Sequence, residues 1–81
     1  MVSIPPLGAV RVFEAAARLG NFTRAAEELG TTQAAVSYQI KVIEERVGAP
    51  LFARKGRGVE LTELGQLIAP QVTSAFEKLD Q

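Results

Sequence analysis

Phe22 to Lys41 read FTRAAEELGTTQAAVSYQIK, and this window decides the fold. Phe22, Ala25, Ala26 and Leu29 recur at i, i+3, i+4 and i+7, the spacing of one helix face, with Asn21 ahead of them as an N-cap and Gly30 behind as a stop. Thr31 and Thr32 offer a second cap. Val36, Ile40, Ile43 and Val47 then form a narrow apolar stripe that ends at Gly48. The pattern predicts a short helix from Phe22 to Leu29 and a longer one from Gln33 to Val47. Ala26 is small where the two would cross, Gly30 stands where a positive φ is needed, and Leu29 and Val36 can cover the corner. Any helical bundle can place Ala and Gly at such points, but their meeting in one window describes a helix-turn-helix.

Outward from this window the pattern continues in both directions. Upstream, Pro6 suits a first helical turn, and Leu7, Val10, Phe13, Ala16 and Ala17 recur at helical spacing until Gly20, predicting a helix from about Pro6 to Leu19. Downstream of Gly48-Ala49-Pro50 the period becomes two. LFAR and VEL flank Lys55-Gly56-Arg57-Gly58, which predicts a small hairpin with a basic, glycine-rich turn. Thr62 can cap a last helix carrying Leu64, Leu67, Ile68, Val72, Ala75, Phe76 and Leu79 on one stripe. Pro70 inside it cannot donate to the carbonyl of Gln66, so a kink or local break is expected there.

The expected fold is therefore mainly α: a winged helix-turn-helix of three helices and a small β-hairpin wing, plus a long C-terminal helix. We divide the chain into a winged part, residues 1–61, and a linker helix, residues 62–81. The stripe of that helix reaches farther than a three-helix core can cover, since Glu63 to Asp80 spans on the order of 27 Å. Its first turns are expected against the first helix and its distal half against a second copy. Ile68, Val72, Ala75, Phe76 and Leu79 would form the pairing face of a two-fold dimer.

Composition excludes more than it assigns. The 81 residues contain no Cys and no His, which removes disulfides, zinc sites, thiol nucleophiles and histidine bases together. Glu44 and Glu45 are adjacent and diverge by about 100° on a helix, so they form no acid/base dyad. We expect no enzyme, no catalytic residue, no metal and no cofactor. No apolar run approaches the roughly 20 residues of a membrane span, and the N-terminus lacks the features of a signal peptide, so a cytoplasmic protein without membrane contact is expected. The formal net charge is +0, yet it is segregated: residues 31–58 carry five cations against two carboxylates, and residues 59–81 one against four.

On the third helix the face opposite the apolar stripe holds Ala34, Tyr38, Lys41 and Glu45, with Ser37 flanking and Gln33 in the first turn. That chemistry suits base reading. Glutamine can pair with adenine, Ala can touch a thymine methyl, and Ser or Tyr can donate to base edges or phosphates. A turn as small as Gln33-Ala34-Ala35 can enter a major groove closely. Arg54, Lys55 and Arg57 at the hairpin tip suit phosphate or minor-groove contacts, and Asn21, Thr23 and Arg24 start the second helix with free amides and a cation. Each group also has a plainer use: a solvated face, a solubilising tip, an ordinary cap. A winged helix that only pairs with protein partners, without reading DNA, is the alternative function.

The order and spacing of FTRAAEEL, AVSYQIKVIEERVGAPLF and LTELG resemble the N-terminal DNA-binding domain of LysR-type transcriptional regulators over essentially the whole chain. The pattern TTQAAVSYQIK resembles most the subgroup of glycine-cleavage activators and β-lactamase regulators. The resemblance implies a dimeric bacterial transcription factor that binds an interrupted inverted repeat in promoter DNA. Carried over by position, Gln33, Ala34, Ser37, Tyr38 and Lys41 fall on the recognition helix, Arg54 and Arg57 on the wing, and Thr32 caps the helix near a phosphate. Tyr38 stands where many members have Arg, and Ala34 where many have Pro. The resemblance further implies an effector-binding domain outside this sequence, through which a small molecule acts, and a tetramer for the full-length regulator. The chain is accordingly expected to be a fragment ending inside the linker.

Overall fold

The structure, a computed structural model, describes residues 7–79, with the side chains at positions 7, 75–77 and 79 outside that description. Its elements run α1 (Leu7–Leu19), α2 (Phe22–Leu29), α3 (Gln33–Val47), β1 (Phe52–Lys55), β2 (Gly58–Leu61) and α4 (Glu63–Leu79). This is a mainly α winged helix-turn-helix. Pro6, expected at the start of α1, lies outside the described residues.

Local chemistry sets the helix ends. Asn21 Oδ1 accepts from the Arg24 amide at 2.9 Å, and Thr32 Oγ1 from the Ala35 amide at 3.0 Å, so both expected caps form. Gly30 has φ +68°, the left-handed geometry the turn between α2 and α3 required. Thr62 Oγ1 accepts from the Gly65 amide at 3.2 Å and donates to the Pro50 carbonyl at 2.8 Å, capping α4 and tying its start to the segment before β1.

The core consists of Ala9, Val12, Phe13, Ala15 and Ala16 from α1, Ala25 and Ala26 from α2, Val36, Ile40 and Ile43 from α3, and Leu51. The buried arc of α1 is wider than its spacing implied, and Val10 and Ala17 are only half-buried, because α2, α3 and α4 all pack on this helix. Val47 also departs from expectation. It is 41% exposed, while Leu51, four residues on, is fully buried. Two edge-on aromatic contacts bind the wing to the helices: Phe52 meets Phe13 at 5.5 Å and Phe22 at 5.3 Å between ring centroids, each worth about 0.5–1.5 kcal/mol beyond burial.

The hairpin is shifted by one residue from its expected limits. Phe52 pairs with Leu61 and Lys55 with Gly58, leaving a two-residue turn of Gly56 and Arg57. Leu51 stays out of the strand because its amide is turned to the Glu44 carboxylate.

The local break expected at Pro70 does not occur, for α4 continues through it to Leu79. A proline in a helix interior, through its lost amide hydrogen bond and the clash of its ring with the preceding turn, costs on the order of 3 kcal/mol, and burial offsets that cost: Leu64, Ile68, Ala69 and Val72 pack on the core from both sides of the proline. Leu67, expected on the same stripe, is corrected to 68% exposed. It points about 100° away from Ile68. Ile68 and Val72, expected at a pairing face, are half-buried against this chain's own core. The side chains of Ala75, Phe76 and Leu79, the rest of that expected face, lie outside the described residues. Among the described residues no helix is long and apolar enough to cross a membrane.

Candidate nucleic-acid interface

A cleft of ≈ 310 Å³ opens between the start of α2, the outer face of α3 and the wing. Its walls include Asn21, Thr23, Gln33, Ser37, Lys41, Arg54 and Arg57, side chains from three separate segments that the fold brings together. Arg24, Thr32, Ala34 and Tyr38 are exposed on α2, on α3 or at its cap, outside the cleft walls. Tyr38 is 66% exposed, so its phenol is presented to solvent midway along α3.

The polar groups lining this face keep donors to spare. Asn21 spends its Oδ1 as a cap, which leaves its amide NH2 available. Gln33 Nε2 donates to Ser37 Oγ at 3.4 Å, a long bond that a better acceptor can replace. Thr32 spends a hydroxyl lone pair on the Ala35 amide and retains its proton for donation.

The charges are arranged likewise. Arg24, Lys41, Arg54 and Arg57 form no ion pair among the described residues, whereas Lys55 lies 3.4 Å from Glu60 across the hairpin. That pair is well exposed and contributes at most about 1 kcal/mol. On the far side of the helices, Arg18 forks between two carboxylates, reaching Glu14 at 2.9 Å and Glu28 at 3.1 Å. Hydrogen bonding to Arg18 holds the Glu28 carboxyl below its ordinary range. Glu14 of α1 and Glu28 of α2 are thus engaged by Arg18, and the cations by the cleft are left for a partner.

Two residues that shape this site escaped the reading of the sequence. Glu44 lines the cleft and accepts, through Oε2, from the amides of Leu51 at 2.7 Å and Phe52 at 3.3 Å. Gly58 lies against the carbonyl of Gly20, where an added Cβ would come within 2.4 Å of the oxygen. Neither signal is local: the first needs contact seven residues away, the second contact between α1 and the wing.

Residues 7–66 match the family model described as "Bacterial regulatory helix-turn-helix protein, lysR family". The chain belongs to the lysR family. It is 53% identical, over 78 residues, to the glycine cleavage system transcriptional activator of Escherichia coli strain K12, which covers 96% of this chain and 26% of that protein. It is 51% identical over 74 residues to the transcriptional activator AmpR of Pseudomonas aeruginosa, covering 91% of this chain and 25% of that one. This lysR chain thus spans about a quarter of the length of these curated relatives. Among solved structures, the BenM DNA-binding domain in complex with catB site 1 DNA superposes with a TM-score of 0.86 at 32% identity, covering 94% of this chain and 84% of that one. The complex of the CbnR DNA-binding domain with DNA gives a TM-score of 0.83 at 28% identity, covering 93% and 86%. The chain is a LysR-type helix-turn-helix DNA-binding domain, in the neighbourhood its α3 pattern pointed to.

Proposed function

We propose that this chain reads promoter DNA sequence-specifically, with α3 in the major groove and the wing along the adjacent backbone or minor groove. The observation that carries this reading is the cleft: groups suited to base edges on α3 (Gln33, Ser37) share one concave surface with the cations Lys41, Arg54 and Arg57. Asn21, Thr23 and Arg24 at the start of α2, with Thr32 at the start of α3, contact phosphates. Ala34 and Tyr38 face bases or the adjoining backbone.

The bound form is a dimer on an interrupted inverted repeat, paired through the distal half of α4 with Val72, Ala75, Phe76 and Leu79 and with Ile68 at the near end. Residues 62–81 link the reading head, residues 1–61, to an effector domain of a longer regulator, which is tetrameric and works in the bacterial cytoplasm without enzymatic activity, cofactor or membrane contact. The test is an anisotropy titration against duplexes selected from a random library, at several salt concentrations. Affinity that falls with salt and discriminates among sequences is the expected result; binding indifferent to either salt or sequence overturns the reading.

A further inference from the structure

The connection from α3 to the wing is wrapped around one residue. The Glu44 main-chain carbonyl accepts from the amides of Gly48 at 2.7 Å and Ala49 at 3.2 Å. Its side-chain Oε2 accepts from the amides of Leu51 at 2.7 Å and Phe52 at 3.3 Å. Residue 50 is proline and has no amide hydrogen. Every backbone N–H from Gly48 to Phe52 therefore ends on Glu44. The carboxylate holds the first residue of β1, and Phe52, so held, sets its ring against Phe13 and Phe22.

Such an arrangement does more than satisfy buried donors. Glu44 lies one turn beyond Ile40 and Lys41 on α3, and β1 leads within two residues from Phe52 to Arg54. A single carboxylate thus fixes the strand bearing the wing cations relative to the helix bearing Gln33 and Ser37. We propose that Glu44 is a positioning residue for DNA recognition: it sets the placement of the wing against α3, and through it the phosphate contacts of Arg54 and Arg57. The proposal rests on the DNA-reading function above. Glu44 itself touches no DNA in this scheme.

The consequence is separable from stability. Without the carboxylate the wing should uncouple, so that the salt slope of log K falls by about one unit for each phosphate the wing no longer reaches, while the preference for bases read by α3 persists. The experiment uses the 81-residue chain and a duplex selected from a random library by the wild type. Glu44→Ala and Glu44→Asp, whose carboxylate is one methylene short of the amides, are each expected to bind about tenfold more weakly with a shallower salt slope. Glu44→Gln keeps an oxygen at the same reach and should recover most of the slope. In an Arg54→Ala/Arg57→Ala background, Glu44→Asp should change the slope no further, because the arginines it acts through are gone.

Thermal unfolding monitored by circular dichroism establishes which variants fold. If Glu44→Ala does not fold, Glu44→Asp and Glu44→Gln decide the matter alone, and failure of both to fold overturns the proposal in favour of a purely structural role. A folded Glu44→Asp with wild-type slope overturns it, as does an affinity loss of the same size whether or not the wing arginines are present. If the wild type discriminates among duplexes and either of these results follows, the functional reading stands and the positioning role alone falls. If the wild type binds no duplex selectively, the functional reading itself fails and this proposal with it.

Discussion

The amide of Val59 donates to the carbonyl of Gly20 at 3.0 Å, joining the second strand of the wing to the turn between α1 and α2. Gly20 directly precedes Asn21, the cap of α2, so this bond connects the start of α2 with the wing. With the Glu44 contacts at the other strand, the hairpin is held at both of its strands by backbone amides. A two-stranded hairpin has little stability of its own in water, and these tethers supply what the pairing alone lacks.

Gly58→Ala tests the closeness of that contact. A Cβ there would lie 2.4 Å from the Gly20 oxygen, a backbone atom that cannot swing aside as a side chain can. We expect a loss of about 1–3 kcal/mol in urea unfolding, the range of a backbone shift forced by overpacking. An unchanged urea midpoint would show that the turn and the wing separate freely.

The Arg18 fork gives the fold a dependence on acid. Glu28 titrates below its ordinary value because Arg18 hydrogen-bonds its charged form. A depressed folded-state pKa contributes stability above the unfolded value, and that contribution is lost as pH falls through the folded one. The stability difference between wild type and Arg18→Gln should therefore be constant near neutrality and shrink below about pH 4.3. The Glu28 contact is well exposed, so 1 M salt should also narrow the difference at pH 7. Urea midpoints measured across pH check this, and a difference that stays constant into strong acid counts against it.

Two neighbouring positions of α4 should behave oppositely. Leu67 is 68% exposed, so Leu67→Ser is expected to alter unfolding stability by no more than about 0.5 kcal/mol. Ile68 packs half-buried on the core, and Ile68→Ala is expected to cost about 1–2 kcal/mol, below the range for a fully buried site. Sedimentation of the same variants then separates folding from self-association: on the dimer reading, Leu67→Ser, which lies off the proposed pairing face, leaves association unchanged, whereas Ile68→Ala weakens it.

Arg57→Ala and Gln33→Ala separate the two modes of contact. Arg57 carries no ion pair among the described residues, and its removal should weaken binding to all duplexes alike and reduce the salt slope by about 1. Gln33→Ala should leave the slope in place and relax preference at one base position by about 1–3 kcal/mol. Competition titrations with single-base variants of the selected duplex measure both. A Gln33→Ala effect uniform across sequences would move that residue to the backbone contacts.

What the sequence determined by itself is local. Caps at Asn21, Thr32 and Thr62, the left-handed stop at Gly30 and the 3.6-residue spacing of α2 and α3 set the helix limits, since each depends on neighbours within about one turn. The same spacing put Lys41 opposite the buried stripe, with Ser37 flanking it and Gln33 in the first turn, and these three line the cleft. Tertiary structure decided the rest. Whether Val47 and Leu67 were covered depended on which elements reach them, and none covers either fully. The strand limits depended on Glu44 claiming the Leu51 amide, and the continuity of α4 through Pro70 on packing against the core. Glu44 and Gly58 could not be identified from spacing, because each acts on a backbone group that only the closed fold brings within about 3 Å.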